Sequence, residues 1–194
     1  AADKEILELV DYRTVWGELK VPVRLVTGLK QGGQVAVTCR ELGLKLPRLI
    51  IEPGRKIVGQ AGVALYKVGV VKNIPGVRRY VSVDGGMADN IRPALYGARY
   101  EAVVASKMFD EGKDEVTIAG KFCESGDILI EDTHLPSVEA DDIIAIPVSG
   151  AYCLAMASNY NASFRPAIVI LKEGQARLIR RRETLEDLTM CDLD

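Results

Sequence analysis

The sequence predicts a mainly β fold, an antiparallel sandwich or barrel preceded by a short segment of mixed α and β character. Short alternating or apolar segments recur along the chain, and glycine and proline residues lie between them. This pattern is typical of strands joined by turns. The 194 residues are 48% hydrophobic and 27% charged, which is the composition of a globular protein large enough to bury a core. We expect an N-terminal segment at residues 1–55 and a β domain at residues 56–194.

In the N-terminal segment, the spacing of apolar residues indicates helices and strands less clearly than in the β domain. Residues 3–10 have a partly helical spacing of apolar side chains, and they predict a short helix. Residues 21–26 and 34–38 predict strands. Residues 48–51 predict a buried strand that stops at the sequence EPGR, residues 52–55.

The β domain is predicted from strand patterns taken in chain order. The predicted strands cover residues 63–71, 79–83, 115–119, 127–131, 142–148, 167–171 and 176–180. In the first strand, Ala64, Tyr66, Val68 and Val70 alternate, so we expect them to share one face. Gly174 predicts a hairpin between the last two strands. Two segments between strands predict helices, at residues 89–96 and 151–158.

Charge and cysteine content exclude several classes of protein. The net charge is −2, and the one basic cluster, Arg180–Arg182, is followed by acidic residues. This order indicates an ion-paired surface rather than nucleic-acid binding. The four cysteines have no CxxC spacing and no neighbouring histidine, which argues against a zinc site. No segment has the length of a membrane span or the order of a secretion signal, so we expect a reduced, cytoplasmic protein without membrane contact.

Two glycine-containing motifs follow predicted strands. In EPGR, Gly54 allows close approach of the backbone to a ligand, and Arg55 offers a fork that fits a phosphate or a carboxylate. An ordinary turn with a surface arginine explains the four residues equally well. In residues 84–96 (DGGMADNIRPALY), Arg92 and Tyr96 are four apart and would share one helix face as a carboxylate clamp. The alternatives are that Tyr96 covers the core and that Arg92 pairs with Asp89.

Two further segments combine small residues with reactive side chains. Residues 120–127 (GKFCESGD) place Cys123 beside Glu124 in a loop bounded by glycines. A thiol and a carboxylate this close can transfer a proton and bind an ammonium group, although a small buried cysteine in a turn is the simpler interpretation. Residues 150–161 (GAYCLAMASNYN) place Tyr152 where its phenol can meet a phosphate or a ring, or where it is packed in the core.

Taken together, these segments resemble the diaminopimelate decarboxylase family of pyridoxal-phosphate enzymes with an alanine-racemase-like barrel. The resemblance starts near Glu41 and covers about four-fifths of the chain. It implies decarboxylation of meso-diaminopimelate to lysine, with pyridoxal 5'-phosphate as cofactor. It also implies a homodimer with shared active sites, to which this chain contributes the C-terminal part. The matching motifs are EPGR, DGGMADNIRPALY, GKFCESGD, GAYCLAMASNYN, RPA (165–167) and IRRRET (179–184).

The resemblance implies a role for each candidate residue. Gly54 and Arg55 would face the cofactor phosphate, and Arg55 would also reach the substrate carboxylate. Arg92 and Tyr96 would bind the carboxylate at the distal end of the substrate. In the neighbouring subunit's site, Cys123 would donate a proton to the carbon that loses CO2, and Glu124 would bind the distal ammonium. Tyr152 would lie over the phosphate and the cofactor.

The sequence also departs from the family. No lysine has the Lys-Ala-Asn setting of the residue that binds the cofactor, and the His-Ile-Gly-Ser segment is absent. Residues 1–40 match nothing expected of the family. A (β/α)8 barrel needs about 250 residues, so we expect this chain by itself to be incomplete for catalysis. Two alternatives remain open: a non-catalytic β module that retains a dimer surface, and a decarboxylase of another basic amino acid.

Overall fold

The computed structural model describes residues 54–193. The chain divides into two compact units between Ile57 and Val58. The helix and strand predictions for residues 3–51 lie outside the described residues.

The described part consists mostly of strands. The helices are α1 (Gly54–Val58), α2 (Arg92–Tyr96) and α3 (Leu185–Thr189). The strands are β1 (Ala64–Ile74), β2 (Arg78–Val83), β3 (Val103–Val104), β4 (Asp114–Ala119), β5 (Ile128–Leu135), β6 (Ile143–Ile146), β7 (Ile168–Lys172) and β8 (Gln175–Arg180). Short 3-10 turns lie at Gly59–Ala61, Ala105–Lys107, Leu154–Met156 and Tyr160–Ala162. The mainly β prediction is therefore confirmed.

Six strands form one sheet in the order β3-β6-β1-β2-β4-β5, and β7 and β8 form a separate hairpin. β1 is the long central strand: its first residues pair with β6, and the rest pair with β2. β2 and β4 are parallel, whereas the other pairs are antiparallel. The predicted antiparallel sheet thus contains one parallel pair, because the long connection that contains α2 and β3 returns the chain in the same direction.

The buried side chains of the six-stranded sheet form one hydrophobic core. Val81, Ile118 and Ile144 are fully buried there, on three different strands. Tyr66 and Val68 of β1 face this core, but Val70 is 62% exposed. The pairing of β1 with β2 shifts register between Val68 and Val70. The shift turns Val70 to the other face, so the predicted alternation is wrong at this residue.

The strands predicted from residue 63 onward are all present, but both predicted helices differ from the structure. The first is shorter: α2 begins at Arg92, has Pro93 in its first turn and ends at Tyr96, and the following Gly97 has a φ of 60°. The second is limited to the 3-10 turn Leu154–Met156. Tyr152 has a φ of 59°, which is incompatible with a helix that starts at residue 151.

The C-terminal segment confirms the predicted ion-paired surface. Arg180 lies 3.6 Å from Glu183, and Arg181 binds Asp187 through two hydrogen bonds of 2.5 and 2.8 Å. Within residues 54–193, no helix has the length and apolar character to cross a membrane.

Candidate active site

The Arg92 guanidinium lies close to two tyrosine rings. Arg92 is the first residue of α2, and Tyr96 follows it by one helical turn, so the two side chains share a face. The guanidinium carbon is 5.2 Å from the centre of the Tyr96 ring and 5.7 Å from the centre of the Tyr152 ring. Tyr96 is 60% exposed and does not cover the core. Two aromatic rings thus lie next to one planar cation, whose N–H groups suit a carboxylate or a phosphate.

Arg92 also has an unused donor. Its Nε atom is buried and has no hydrogen-bond partner within the part of the chain that the structure describes. A buried N–H without an acceptor costs about 1–3 kcal/mol. A carboxylate or phosphate oxygen would remove this cost, and a guanidinium can bind such a group through two parallel hydrogen bonds.

Tyr152 reaches Arg92 through an unusual backbone conformation. Its φ of 59° lies in the left-handed region, which costs a bulky residue about 1–3 kcal/mol. The flanking Ala151 and Cys153 are 6% and 5% exposed, whereas Tyr152 itself is 46% exposed. The Sγ atom of Cys153 lies 3.5 Å from the hydroxyl of Tyr100. The turn therefore buries its two small residues and directs the phenol outward, and strain of this kind is typical of functional positions.

The Asp127 carboxylate connects the segment GKFCESGD to the segment DGGMADNIRPALY. Asp127 is 3% exposed. Its Oδ1 accepts the backbone N–H of Met87 at 2.6 Å, and its Oδ2 accepts that of Phe122 at 2.8 Å. Gly86 and Gly120 lie against the carboxylate, and a Cβ atom at either glycine would overlap it. Burial raises the pKa of this carboxyl, against the effect of the two N–H groups.

The loop of residues 84–90 binds the backbone of two other motifs, GKFCESGD and GAYCLAMASNYN. The N–H of Lys121 donates to the carbonyl of Gly85 at 3.0 Å, and the N–H of Ser158 donates to the carbonyl of Ala88 at 2.9 Å. Within the loop, Asp89 accepts the N–H of Gly86 at 3.0 Å, and burial raises the pKa of Asp89. Residues 84–90 therefore hold the segments 120–127 and 150–161 in place.

Glu183 joins the remaining motifs. Its Oε2 accepts the side-chain N–H of Asn159 at 2.6 Å and the backbone N–H of Arg165 at 2.8 Å. Its Oε1 accepts from Nη1 of Arg165 at 3.0 Å. The Arg165 backbone N–H is the largest of the contacts that lower the pKa of Glu183. One carboxylate thus connects the segments GAYCLAMASNYN, RPA and IRRRET.

Cys123 and Glu124 are both exposed on the loop between β4 and β5. Glu124 accepts the N–H of Gly126 at 3.2 Å and the hydroxyl of Ser125 at 3.3 Å. The interpretation of Cys123 as a buried core cysteine is therefore wrong. Among residues 54–193, no hydrogen bond, ion pair or ring contact joins Cys123 or Glu124 to Arg92.

Gly54 and Arg55 lie in α1, on the N-terminal side of the boundary between the two units. Of the sequence-predicted residues, the structure thus brings together Arg92, Tyr96 and Tyr152. The roles of all the candidates remain predictions.

Sequence reasoning missed Asp127 and Glu183, and it considered Asp89 only as a partner of Arg92, whereas the Asp89 carboxylate binds the N–H of Gly86. Asp127 and Asp89 stand inside the quoted motifs, next to or near glycines that leave space for a carboxylate. This proximity to glycine is visible in the sequence and could have indicated both aspartates. The role of Glu183 depends on donors 18 and 24 residues away, so it has no local signal.

The chain is similar to known proteins in both sequence and fold. Residues 9–150 match the family model described as the pyridoxal-dependent decarboxylase, C-terminal sheet domain. The match begins well before Glu41, so the expectation that residues 1–40 match nothing of the family is wrong for residues 9–40. The diaminopimelate decarboxylase of Bacillus subtilis is 53% identical over 151 residues, which cover 78% of this chain and 34% of that protein. The enzyme of the same name from Mycobacterium tuberculosis is 46% identical over 169 residues, or 84% of this chain and 38% of that protein.

Two solved structures are also similar. The diaminopimelate decarboxylase of M. jannaschii in complex with L-lysine has a TM-score of 0.71 and 39% identity, with 82% of this chain and 36% of that chain covered. The Helicobacter pylori enzyme complexed with L-lysine has a TM-score of 0.66 and 38% identity, with 73% and 34% covered. The chain spans about a third of the length of these relatives.

Proposed function

The chain belongs to the pyridoxal-dependent decarboxylase family, and from this premise we propose that it forms the C-terminal part of a diaminopimelate decarboxylase. The reaction would release CO2 from meso-diaminopimelate and give L-lysine. The relatives of the same name at about 50% identity, and the lysine complexes of two similar structures, support this substrate. The proposal keeps the division into a segment at 1–55 and a β domain at 56–194, and a cytoplasmic location.

The observation that carries the proposal is the Arg92 site. Its guanidinium lies within 6 Å of the centres of the Tyr96 and Tyr152 rings, and its buried Nε lacks an acceptor among the described residues. Diaminopimelate has a carboxylate at each end, and the one distant from the reaction needs a cationic partner. Arg92 would bind that carboxylate through paired hydrogen bonds, and Tyr96 would border it. Held at this end, the substrate is oriented before the other end reacts.

The cofactor fits the same residues. A phenol that is half exposed beside a guanidinium suits an anionic group such as a phosphate, and Tyr152 is placed in this way. Gly54 and Arg55 would face the cofactor phosphate, as the family resemblance implies. Pyridoxal phosphate supplies the electron sink that stabilises the charge left when CO2 departs.

Cys123 and Glu124 would complete the site of a second copy of the chain. Both are exposed on a loop that is fixed at its base by Asp127. Cys123 would donate its thiol proton to the carbon that has lost CO2, and Glu124 would bind the distal ammonium of the substrate. A homodimer with shared sites is part of this proposal.

A chimera tests the function directly. The 151 aligned residues of the Bacillus subtilis relative would be replaced by the corresponding residues of this chain, and CO2 release would be measured from meso-diaminopimelate and from ornithine. We expect turnover of diaminopimelate within about tenfold of the parent enzyme and a clear preference over ornithine. A folded, cofactor-loaded chimera without diaminopimelate turnover would refute the proposal. Turnover of ornithine instead would favour a decarboxylase of another basic amino acid.

A further inference from the structure

We infer that Asp127 is a positioning residue, whose carboxylate sets the location of the Cys123–Glu124 loop relative to Arg92. The inference rests on the proposed function for the roles of Cys123 and Arg92. It concerns a buried side chain that need not touch substrate or cofactor.

On the Cys123 side, hydrogen bonds connect Asp127 to the backbone of its own loop, residues 120–127. The N–H of Phe122, next to Cys123, donates to Oδ2 at 2.8 Å. The backbone of Asp127 completes the loop, since its carbonyl accepts the N–H of Gly120 at 2.9 Å and its N–H donates to the carbonyl of Glu124 at 3.1 Å. Three hydrogen bonds from one residue therefore define the loop that carries the thiol.

The geometry on the Arg92 side starts from the other oxygen. The N–H of Met87 donates to Oδ1 at 2.6 Å. Two further hydrogen bonds connect this loop to α2. The carbonyl of Gly86 accepts the N–H of Asn90 at 3.1 Å, and the side chain of Asn90, which is 2% exposed, accepts the N–H of Arg92 at 3.3 Å. A displacement of Met87 is thus passed to the first residue of α2.

The two sides use both oxygens of one carboxylate. Each carboxylate oxygen accepts an N–H from one loop. An asparagine at this position would therefore place its NH2 group, a donor, against one of the two N–H groups. The absence of side chains at Gly86 and Gly120 provides the space, because a Cβ atom at either position would overlap the carboxylate. Of the charged groups around Asp127, Glu124 raises its pKa and Lys121 lowers it. Asp89, on the facing loop, binds Gly86 and does not compete for either N–H.

The first test uses the 194-residue chain without ligand or variant. The amide proton shifts of Met87 and Phe122 are followed by NMR as a function of pH. Because one carboxyl accepts both N–H groups, we expect both shifts to titrate with one midpoint, which lies above the ordinary value for aspartate. Two different midpoints, or no titration at either amide, would overturn the inference.

The second test uses the chimera with Asp127→Asn and, as the matched control, Asp132→Asn. Asp132 lies on the following strand, is exposed and pairs with Arg78 at 3.3 Å. We expect Asp127→Asn to abolish the shared titration and to lower kcat by about tenfold or more, whereas the control leaves both unchanged. A kcat within twofold of the unmodified chimera would refute the positioning role. An inactive unmodified chimera would count against the proposed function alone, because the titration is read without substrate.

Discussion

Replacing Glu183 by glutamine should destabilise the C-terminal part of the fold. The carboxylate accepts three hydrogen bonds from Asn159 and Arg165 and lies 3.6 Å from Arg180. Its side chain is 13% exposed, so water replaces little of what is lost. Glutamine keeps one acceptor oxygen but turns an NH2 group toward at least one of these donors.

The size of the expected destabilisation follows from the hydrogen bonds that Glu183 would lose. A hydrogen bond to a charged group contributes about 1.5–3 kcal/mol. Glu183→Gln removes one such bond and the charge that strengthens the others, so we expect a loss of roughly 2–4 kcal/mol in the free energy of unfolding. The control is Glu173→Gln, because Glu173 is 83% exposed and its ion-pair partner Lys172 is 3.8 Å away. For that surface pair we expect a change of at most about 0.5 kcal/mol.

The assay is urea unfolding of the chain and of both variants at several pH values, with the slope m compared between proteins. The native contacts lower the pKa of Glu183. Its stabilisation is therefore complete above its unfolded pKa of about 4.3, and it is lost as the pH falls through the lower folded pKa. The difference between the chain and Glu183→Gln should be full at pH 7 and should shrink below about pH 4.3.

A loss below about 0.5 kcal/mol at pH 7 would refute the reasoning, since it would mean that the contacts of Glu183 contribute no more than a surface ion pair. A difference that grows on acidification would contradict the assigned direction of the pKa shift.

Three further predictions concern the site. Gly150→Ala should cost about 2 kcal/mol or more, because its Cβ would overlap the carbonyl of Val58 and neither backbone segment can give way. Thermal unfolding checks this prediction, with Gly69→Ala as the control whose Cβ meets only one atom, at 3.8 Å; equal losses would contradict it. Arg92→Lys in the chimera should raise KM for diaminopimelate about tenfold or more, because lysine cannot make paired hydrogen bonds; an unchanged KM would rule out the proposed carboxylate partner. Cys123→Ala in the chimera should lower kcat about 100-fold with little change in KM, and equal effects on both would count against a proton donor.

Much of the fold could be predicted from the sequence because strand formation depends on local alternation. The strands from residue 63 onward were predicted at nearly their observed positions, and the helix predicted at residues 89–96 is present as the shorter α2. The face of Val70 could not be predicted, since it depends on a shift in pairing with β2. The predicted helix at residues 151–158 was wrong because small residues favour several backbone conformations, and the turn at Tyr152 excluded the helical one.

The candidate site, too, was predictable only where its residues are close in sequence. Arg92 and Tyr96 could be paired from sequence because four residues of helix bring them together. By itself the sequence determined the class of fold, the family and the residue types that bind anions, since these depend on neighbouring residues and on motifs. Only the tertiary structure decided that Tyr152 reaches Arg92 and that Asp127 joins two loops 40 residues apart. The physical reason is that the burial of a polar group and the identity of its partners depend on distant segments, whose approach no local pattern encodes.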